Sequence, residues 1–101
     1  MKNCRITVLK QVYHADLAEK YEHPQAEPCD MRVGDIYITD TFHKPAGFCE
    51  SAWANLAPFV LALSSGSEEI YGKWMKNPRS AMVSCNDGLR PMTFLVEAID
   101  E

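Results

Sequence analysis

The sequence predicts a small α+β domain in which a mostly antiparallel sheet packs on one central apolar helical segment. Three observations lead to this prediction. Residues 4–13 alternate apolar and polar side chains, residues 49–63 form the most apolar segment, and an Asp-Gly hairpin signal follows near the C-terminus. A chain of 101 residues has the length of one domain, so we treat residues 1–101 as a single unit.

The N-terminal third predicts one strand, a short helical turn and a loop. The apolar face of the strand over residues 4–13 holds four side chains: Cys4, Ile6, Val8 and Val12. Asp16 is placed to cap a helical turn over residues 17–21. Residues 22–30 contain two prolines and no periodicity, which is typical of a loop.

The middle of the chain predicts a short strand over residues 36–39 and a helix over residues 49–63. This helix is apolar on all sides, so it belongs either to the centre of the core or to a homo-oligomer interface. Pro58 cannot donate a hydrogen bond to the carbonyl of Ala54. Because Asn55 is a good N-cap residue, we expect a kink or a restart of the helix near it.

The C-terminal third predicts a hairpin. Strands over residues 81–85 and 92–99 flank Asn86-Asp87-Gly88, whose Asp-Gly pair suits a tight turn. Pro91 has no N–H group, so the pairing just after the turn should be bulged or lie at an edge. Residues 68–79 are ambiguous, and a short helix could begin at the two glutamates there.

Charge and apolar patterning exclude several classes of partner. The net charge is −4 and Lys and Arg do not cluster, which disfavours a nucleic-acid partner. The N-terminus lacks the apolar run of a signal peptide, and the longest apolar run, residues 56–63, is too short to span a membrane. We therefore expect a cytoplasmic protein whose cysteines are free thiols or ligands rather than disulfides.

The cysteines are the best candidates for chemistry. They contain no C-x-x-C pair and follow no zinc-ribbon or ferredoxin spacing. Cys4 lies on the apolar face of a strand, where a cysteine acts as a small hydrophobic residue. Cys29, Cys49 and Cys85 lie instead at junctions between elements. Cys49 is at a helix N-terminus, where unpaired N–H groups favour a thiolate, so it is the best candidate for a reactive thiol.

Other polar and aromatic residues have a structural and a functional interpretation. Asp87 and Arg90 could pair across the turn as a weak surface ion pair. Alternatively, Arg90 could bind a carboxylate or phosphate through its planar fork. His43 is either solvated or a base or ligand. Trp53 either packs in the core or forms the wall of a cofactor or ligand pocket.

Two motifs resemble a family of small conserved hypothetical prokaryotic proteins, frequent in anaerobes, that has no established activity. The motifs are Pro45-x-Gly47-Phe48-Cys49 followed by Ala52-Trp53, and Cys85-x-Asp87-Gly88-Leu89-Arg90-Pro91 with Phe94 downstream. ITVLK near the N-terminus and Cys29-x-x-x-x-Gly34-Asp35 also match. Met31 and Val33 stand where the family has a proline or an aromatic residue. The resemblance implies site positions but no reaction: Cys29, Cys49, Trp53, Cys85, Asp87, Gly88 and Arg90.

Two functions follow from these residues. The first is a thiol-centred site of Cys29, Cys49 and Cys85, which either binds zinc, iron or an iron–sulfur centre, with His43 or water completing the ligands, or performs redox or nucleophilic chemistry beside Asp87 and Arg90. The second is a homo-oligomeric binding or assembly module in which the surface around Arg90 receives a small anionic ligand or a partner protein. No base–nucleophile pair is defined by spacing, so the sequence leaves enzymatic activity undetermined.

Overall fold

The computed structural model describes residues 1–100 and has the predicted α+β fold. In chain order its elements are β1 (Asn3–Gln11), α1 (Ala15–Tyr21), β2 (Ile36–Ile38), α2 (Glu50–Ser64), a 3-10 turn (Ile70–Gly72), β3 (Ser80–Ser84) and β4 (Met92–Ile99). The four strands form one antiparallel sheet in the order β2-β1-β4-β3. The first and last strands of the chain are therefore the two central strands of the sheet.

The core lies between one face of the sheet and α2. Alternate residues of β1 and β4 point to this face, and Ile6 pairs with Val96 while Val8 pairs with Phe94. The inner stripe of α2 packs on them. Nine apolar side chains at the centre are almost completely buried: Cys4, Ile6, Val8, Leu56, Val60, Leu63, Ala81, Phe94 and Val96. This burial is the main stabilising term of the fold.

The first strand is shorter than the sequence suggests. Its register with β4 shifts between Val8 and Lys10, so Leu9 is an extra residue that forms a bulge. The bulge lies in β1, whereas the pairing of β3 with β4 just after Pro91 is regular and β4 is a central strand, so the irregular or edge pairing expected there was wrong. Because the bulge and the strand end at Gln11 interrupt the alternation, Val12 is 38% exposed and does not join the inner face. Its assignment to that face was wrong.

The central helix is one uninterrupted element. We expected a kink or a restart near Asn55; the helix does not restart there, since α2 runs from Glu50 to Ser64 with Pro58 inside it. Ala54 and Pro58 both lie on the exposed side of the helix, where water can satisfy the carbonyl that proline leaves without a donor. Asn55 caps nothing: its side-chain amide donates to the carbonyl of Ser84 at the end of β3, 3.2 Å away.

Two shorter predictions also need correction. The first helix begins two residues earlier than expected, with His14 rather than Asp16 at the N-cap, and no side chain caps it. The segment after α2 forms only the three-residue 3-10 turn. Tyr71 and Lys73 there have positive φ angles of 53° and 75°, which no longer helix can accommodate. Within residues 1–100 no helix is both long enough and apolar enough to cross a membrane.

A buried polar network links three elements at one end of the core. The hydroxyl of Thr39 accepts a hydrogen bond from the Cys4 amide at 2.8 Å and donates one to the Thr41 carbonyl at 2.7 Å. The Ser64 hydroxyl, at the end of α2, donates to the same carbonyl at 3.1 Å. Thr39 and Ser64 are almost fully buried. The network therefore fixes the end of α2 against the strand pair β1–β2.

We predict that Thr39→Val lowers the free energy of unfolding by about 1–3 kcal/mol. Valine has the same shape but leaves the Cys4 amide buried without an acceptor, whereas the Thr41 carbonyl keeps the Ser64 hydroxyl. Urea denaturation measures the change. Thr7→Val is the matched control, because the Thr7 hydroxyl makes no hydrogen bond within residues 1–100 and the substitution should change stability little. Equal effects of both substitutions would contradict the role of the network.

Candidate thiol site

Three cysteines from three separate segments line one cavity of about 290 Å³ at the N-terminal end of α2. Cys29 comes from the proline-rich loop, Cys49 from the start of α2 and Cys85 from the end of β3. The full lining is Gln11, Cys29, Met31, Cys49, Ser51, Ala52, Cys85, Asn86, Asp87, Arg90, Met92 and Phe94. The cavity thus brings together the three cysteines inferred from junctions and two further candidate residues, Asp87 and Arg90, while Phe94 and Met92 line it from the core.

The turn before α2 positions Cys49. The Phe48 amide donates to the Pro45 carbonyl at 3.2 Å, and Gly47 has a φ of +78°, which is the geometry of a turn that requires glycine at its third position. Phe48 is buried and anchors the turn in the core. Cys49 is the N-cap residue of α2, as predicted, and its side chain makes no capping hydrogen bond to the helix.

Cys29 and Cys49 line the same cavity, and the two thiols interact electrostatically. Cys29 as a residue is exposed, and its sulfur accepts a hydrogen bond from the Met31 amide at 3.5 Å. Burial raises the pKa of the Cys29 thiol, the Met31 amide lowers it, and Cys49 and the charge of Asp30 raise it further. The net effect is a raised pKa, so the Cys29 thiol loses its proton less readily than an ordinary thiol.

The other two cysteines have structural partners. Cys85 continues the hairpin beyond β3, since its amide donates to the Met92 carbonyl at 3.0 Å and its sulfur accepts from the Met92 amide at 3.3 Å. Cys4 lies in the core, away from the cavity, with its sulfur 3.5 Å from the Ser64 hydroxyl. Burial raises the pKa of the Cys4 thiol. Its prediction as a core residue is confirmed.

The hairpin loop is wider than the Asp-Gly signal suggests. It spans residues 85–91, and Asp87 does not pair with the Arg90 side chain across it. Instead, one carboxylate oxygen of Asp87 accepts the backbone amides of Leu89 at 2.8 Å and Arg90 at 3.1 Å. Because the carboxylate is occupied by these amides, it organises the loop backbone and leaves the guanidinium of Arg90 to another partner.

That partner is Glu22, at the end of α1. A guanidinium nitrogen of Arg90 lies 2.6 Å from a carboxylate oxygen of Glu22, and both side chains are largely buried, with 19% and 17% of their surface exposed. The guanidinium also lies over the ring of Tyr13, with its central carbon 4.6 Å from the ring centre. The hydrogen bond to Glu22 is the main cause that raises the pKa of Arg90.

His43 and Trp53 lie outside the cavity lining. The ring of His43 stacks on Phe42 with centroids 4.7 Å apart, and its Nδ1 lies 2.9 Å from the Asp40 carbonyl. Trp53 packs edge-on against Phe48, with centroids 5.9 Å apart. The structure therefore brings neither residue to the thiols.

Sequence reasoning missed several residues at the site. Gln11 reaches the cavity only because β1 ends beside the hairpin loop, and no local pattern indicates this. Tyr13 and Glu22 also gave no signal, because their contact with Arg90 depends on how α1 folds back on the loop. Ser51 and Asn86 were detectable in principle, since each is next to or near a predicted cysteine.

Comparisons with known proteins add no assignment. No family model matches the chain, and neither a curated protein nor a solved structure does. The resemblance to a family of small prokaryotic proteins therefore stays a prediction. Residues 1–100 also contain no group of three or more His, Cys, Asp or Glu side chains arranged to hold a metal ion.

We predict that the alkylation of Cys29 by iodoacetamide follows a pKa above the ordinary thiol value of 9.0. Its thiolate therefore appears at higher pH than that of a thiol in an unfolded peptide, and alkylation at pH 8 is slower. Cys49→Ala removes the influence of Cys49 on Cys29, so the pKa of the Cys29 thiol should fall. Burial should still keep this pKa raised. Peptide mass spectrometry over a pH series measures both. An unchanged pKa in the variant would show that the two thiols do not interact.

Proposed function

We propose that the protein performs thiol–disulfide exchange through a dithiol of Cys29 and Cys49. The observation that carries this proposal is that Cys29 and Cys49, from separate parts of the chain, line one open cavity and lie close enough for Cys49 to raise the pKa of the Cys29 thiol. Because Cys29 lies on an exposed loop, a movement of that loop can bring the two sulfurs to disulfide distance. A transient disulfide of this kind is also the form of disulfide expected inside cells.

The two thiols have different roles. Because burial raises the pKa of Cys29, we assign Cys29 to the second step, and we assign the first attack to Cys49. Its position at the start of a 15-residue helix suits that role. Cys29 then serves as the resolving thiol, which must lose its proton only after the first step.

The exchange proceeds in two balanced steps. The Cys49 thiolate attacks one sulfur of a disulfide substrate, forms a mixed disulfide and releases the first substrate thiolate. Cys29 then loses its proton and attacks the Cys49 sulfur, which forms the Cys29–Cys49 disulfide and releases the second thiolate. The protein dithiol is oxidised by two electrons and the substrate disulfide is reduced to two thiols.

Metal binding has less support than redox chemistry at this site. The third cysteine, Cys85, accepts a backbone amide with its sulfur, and His43 is bound elsewhere. Within the described part of the chain no three ligands are arranged around a common point. The dithiol needs only two sulfurs, and Cys29 and Cys49 line the same cavity.

We expect one equivalent of dithiodipyridine to be reduced completely by the protein, with release of two thiopyridone molecules and formation of the Cys29–Cys49 disulfide. Cys29→Ser should release one thiopyridone and keep a stable mixed disulfide on Cys49, because no resolving thiol remains. Cys49→Ser should slow the first release on the order of tenfold. Absorbance follows the release, and peptide mass spectrometry identifies the disulfides.

Cys85→Ser is the matched control for these variants. It removes a third cysteine from the same cavity, and it should leave the stoichiometry and the Cys29–Cys49 disulfide unchanged. A disulfide that joins Cys85 to either thiol in the wild-type protein, or equal reactivity of all three variants, would contradict the assignment of the pair.

A homo-oligomer is the second candidate, supported by an exposed aromatic row. The rings of Phe59, Tyr71 and Trp74 follow one another at centroid distances of 5.6 and 5.7 Å, and Trp74 is 82% exposed. If this row forms an interface between copies, Trp74→Ala should shift the molar mass measured by light scattering toward that of a monomer. A monomeric wild-type protein would contradict this candidate.

A further inference from the structure

Arg90 forms the wall between two cavities. It lines the thiol cavity and also a second cavity of about 290 Å³ beside α1. The second cavity is lined by Tyr13, Ala15, Ala18, Glu19, Glu22, His23, Pro24, Ala26 and Arg90. The ion pair of Arg90 with Glu22 therefore stands at the place where α1, the hairpin loop and the start of the proline-rich loop meet.

The first helix depends on this contact. It has seven residues, and helices of that length are marginal without tertiary support. Only Ala18 is buried on it, while Leu17 and Tyr21 are 41% and 72% exposed. Before the helix, the His14 amide donates to the Leu89 carbonyl at 2.9 Å. The pairing of Glu22 with Arg90 fastens the other end of α1 to the same hairpin loop.

The segment that carries Cys29 is fixed at two points. Glu22 fastens its start to Arg90, and Met31, only 6% exposed, fastens its end in the core. Between them the residues from 23 to 30 are mostly exposed, and their backbone hydrogen bonds are local. If the first point is lost, the free loop lengthens back toward Ala18, and the chance of finding Cys29 beside Cys49 falls.

We propose that the ion pair of Glu22 and Arg90, stacked on Tyr13, is a clamp that positions Cys29 against Cys49. Arg90 is then a positioning residue that acts through the loop, and it does not bind substrate. This inference rests on the proposed dithiol function. It names a role for Glu22 and Tyr13, which no motif indicated.

The charges around Arg90 favour a clamp over an anion receptor. The groups that face the guanidinium are Glu22, Tyr13 and Asp87, and both carboxylates interact favourably with its charge. Its closest contact is already a carboxylate at 2.6 Å, in a largely buried place where charge-assisted hydrogen bonds are strong. A small anion would have to displace Glu22 and then face the charge of Asp87.

The equilibrium between the dithiol and the Cys29–Cys49 disulfide tests the clamp. Wild-type protein and variants are equilibrated with oxidised and reduced glutathione, and peptide mass spectrometry gives the ratio of the two forms. Glu22→Gln and Arg90→Gln should each lower the equilibrium constant for disulfide formation by about twofold, since a loop that is free back to Ala18 lowers the effective concentration of Cys29. Arg90→Lys, which keeps the charge but not the planar fork, should restore part of the loss.

The double variant and a matched control separate the clamp from general destabilisation. Glu22→Gln with Arg90→Gln should be no worse than either single variant, because both remove the same interaction. Arg79→Gln removes another arginine–carboxylate pair, with Asp100 at 3.1 Å, and should leave the equilibrium unchanged. Circular dichroism of each variant checks that the sheet is intact.

Three results would overturn the clamp. These are wild-type equilibrium constants in both single variants, additive losses in the double variant, and a loss in Arg79→Gln as large as in Arg90→Gln. The proposed function fails differently. If the wild-type protein forms no Cys29–Cys49 disulfide at any glutathione ratio, the dithiol itself is refuted.

Discussion

The contact between the inner stripe of α2 and the two central strands is the constraint on which the rest of the structure depends. Leu56, Val60 and Leu63 occupy one side of the helix and are buried against β1 and β4. Because the strands that flank this contact are the first and the last of the chain, the core brings both termini together. It also places the N-terminal end of α2 beside the hairpin loop, and the thiol cavity forms in the space between them.

The local geometry of the site follows from this placement. Phe48 enters the core just before α2, so the turn that contains Gly47 must present Cys49 at the edge of the core. Phe94, at the start of the last strand, contacts the Phe48 ring at a centroid distance of 5.6 Å and forms part of the cavity floor. The motif around Cys49 therefore has a structural explanation that is independent of any chemistry, whereas core packing does not account for the presence of Cys29 in the same cavity.

The sequence predicted the elements whose patterns are local. Alternation over Cys4, Ile6 and Val8 identified the buried face of the first strand, and the Ser-Ser-Gly stretch after Leu63 matched the end of the helix, where Gly66 has a φ of +98°. Predictions that depended on a single residue type were weaker. Asn55 resembled an N-cap, yet burial of the whole helix face outweighed its local preference and that of Pro58.

The site was predicted in its cysteines but not in its supports. Junction positions identified Cys29, Cys49 and Cys85, because loops that end elements can converge. Junction positions could not indicate which cysteines interact, since the position of Cys29 depends on the path of the loop between α1 and β2. The partner of Arg90 was equally hidden: Asp87, three residues away, seemed the natural choice, but it is used by two backbone amides. Turn chemistry outweighed the nearest opposite charge.

Charge balance explains why an ion pair can lie, largely buried, beside the thiol cavity. The Arg90 guanidinium and the Glu22 carboxylate are 2.6 Å apart, so each neutralises the charge of the other. Removal of one partner leaves the other charge largely buried and unpaired, whereas removal of both leaves no such charge. The pair therefore acts as a unit, and a neutral residue at position 22 could not anchor the loop through Arg90.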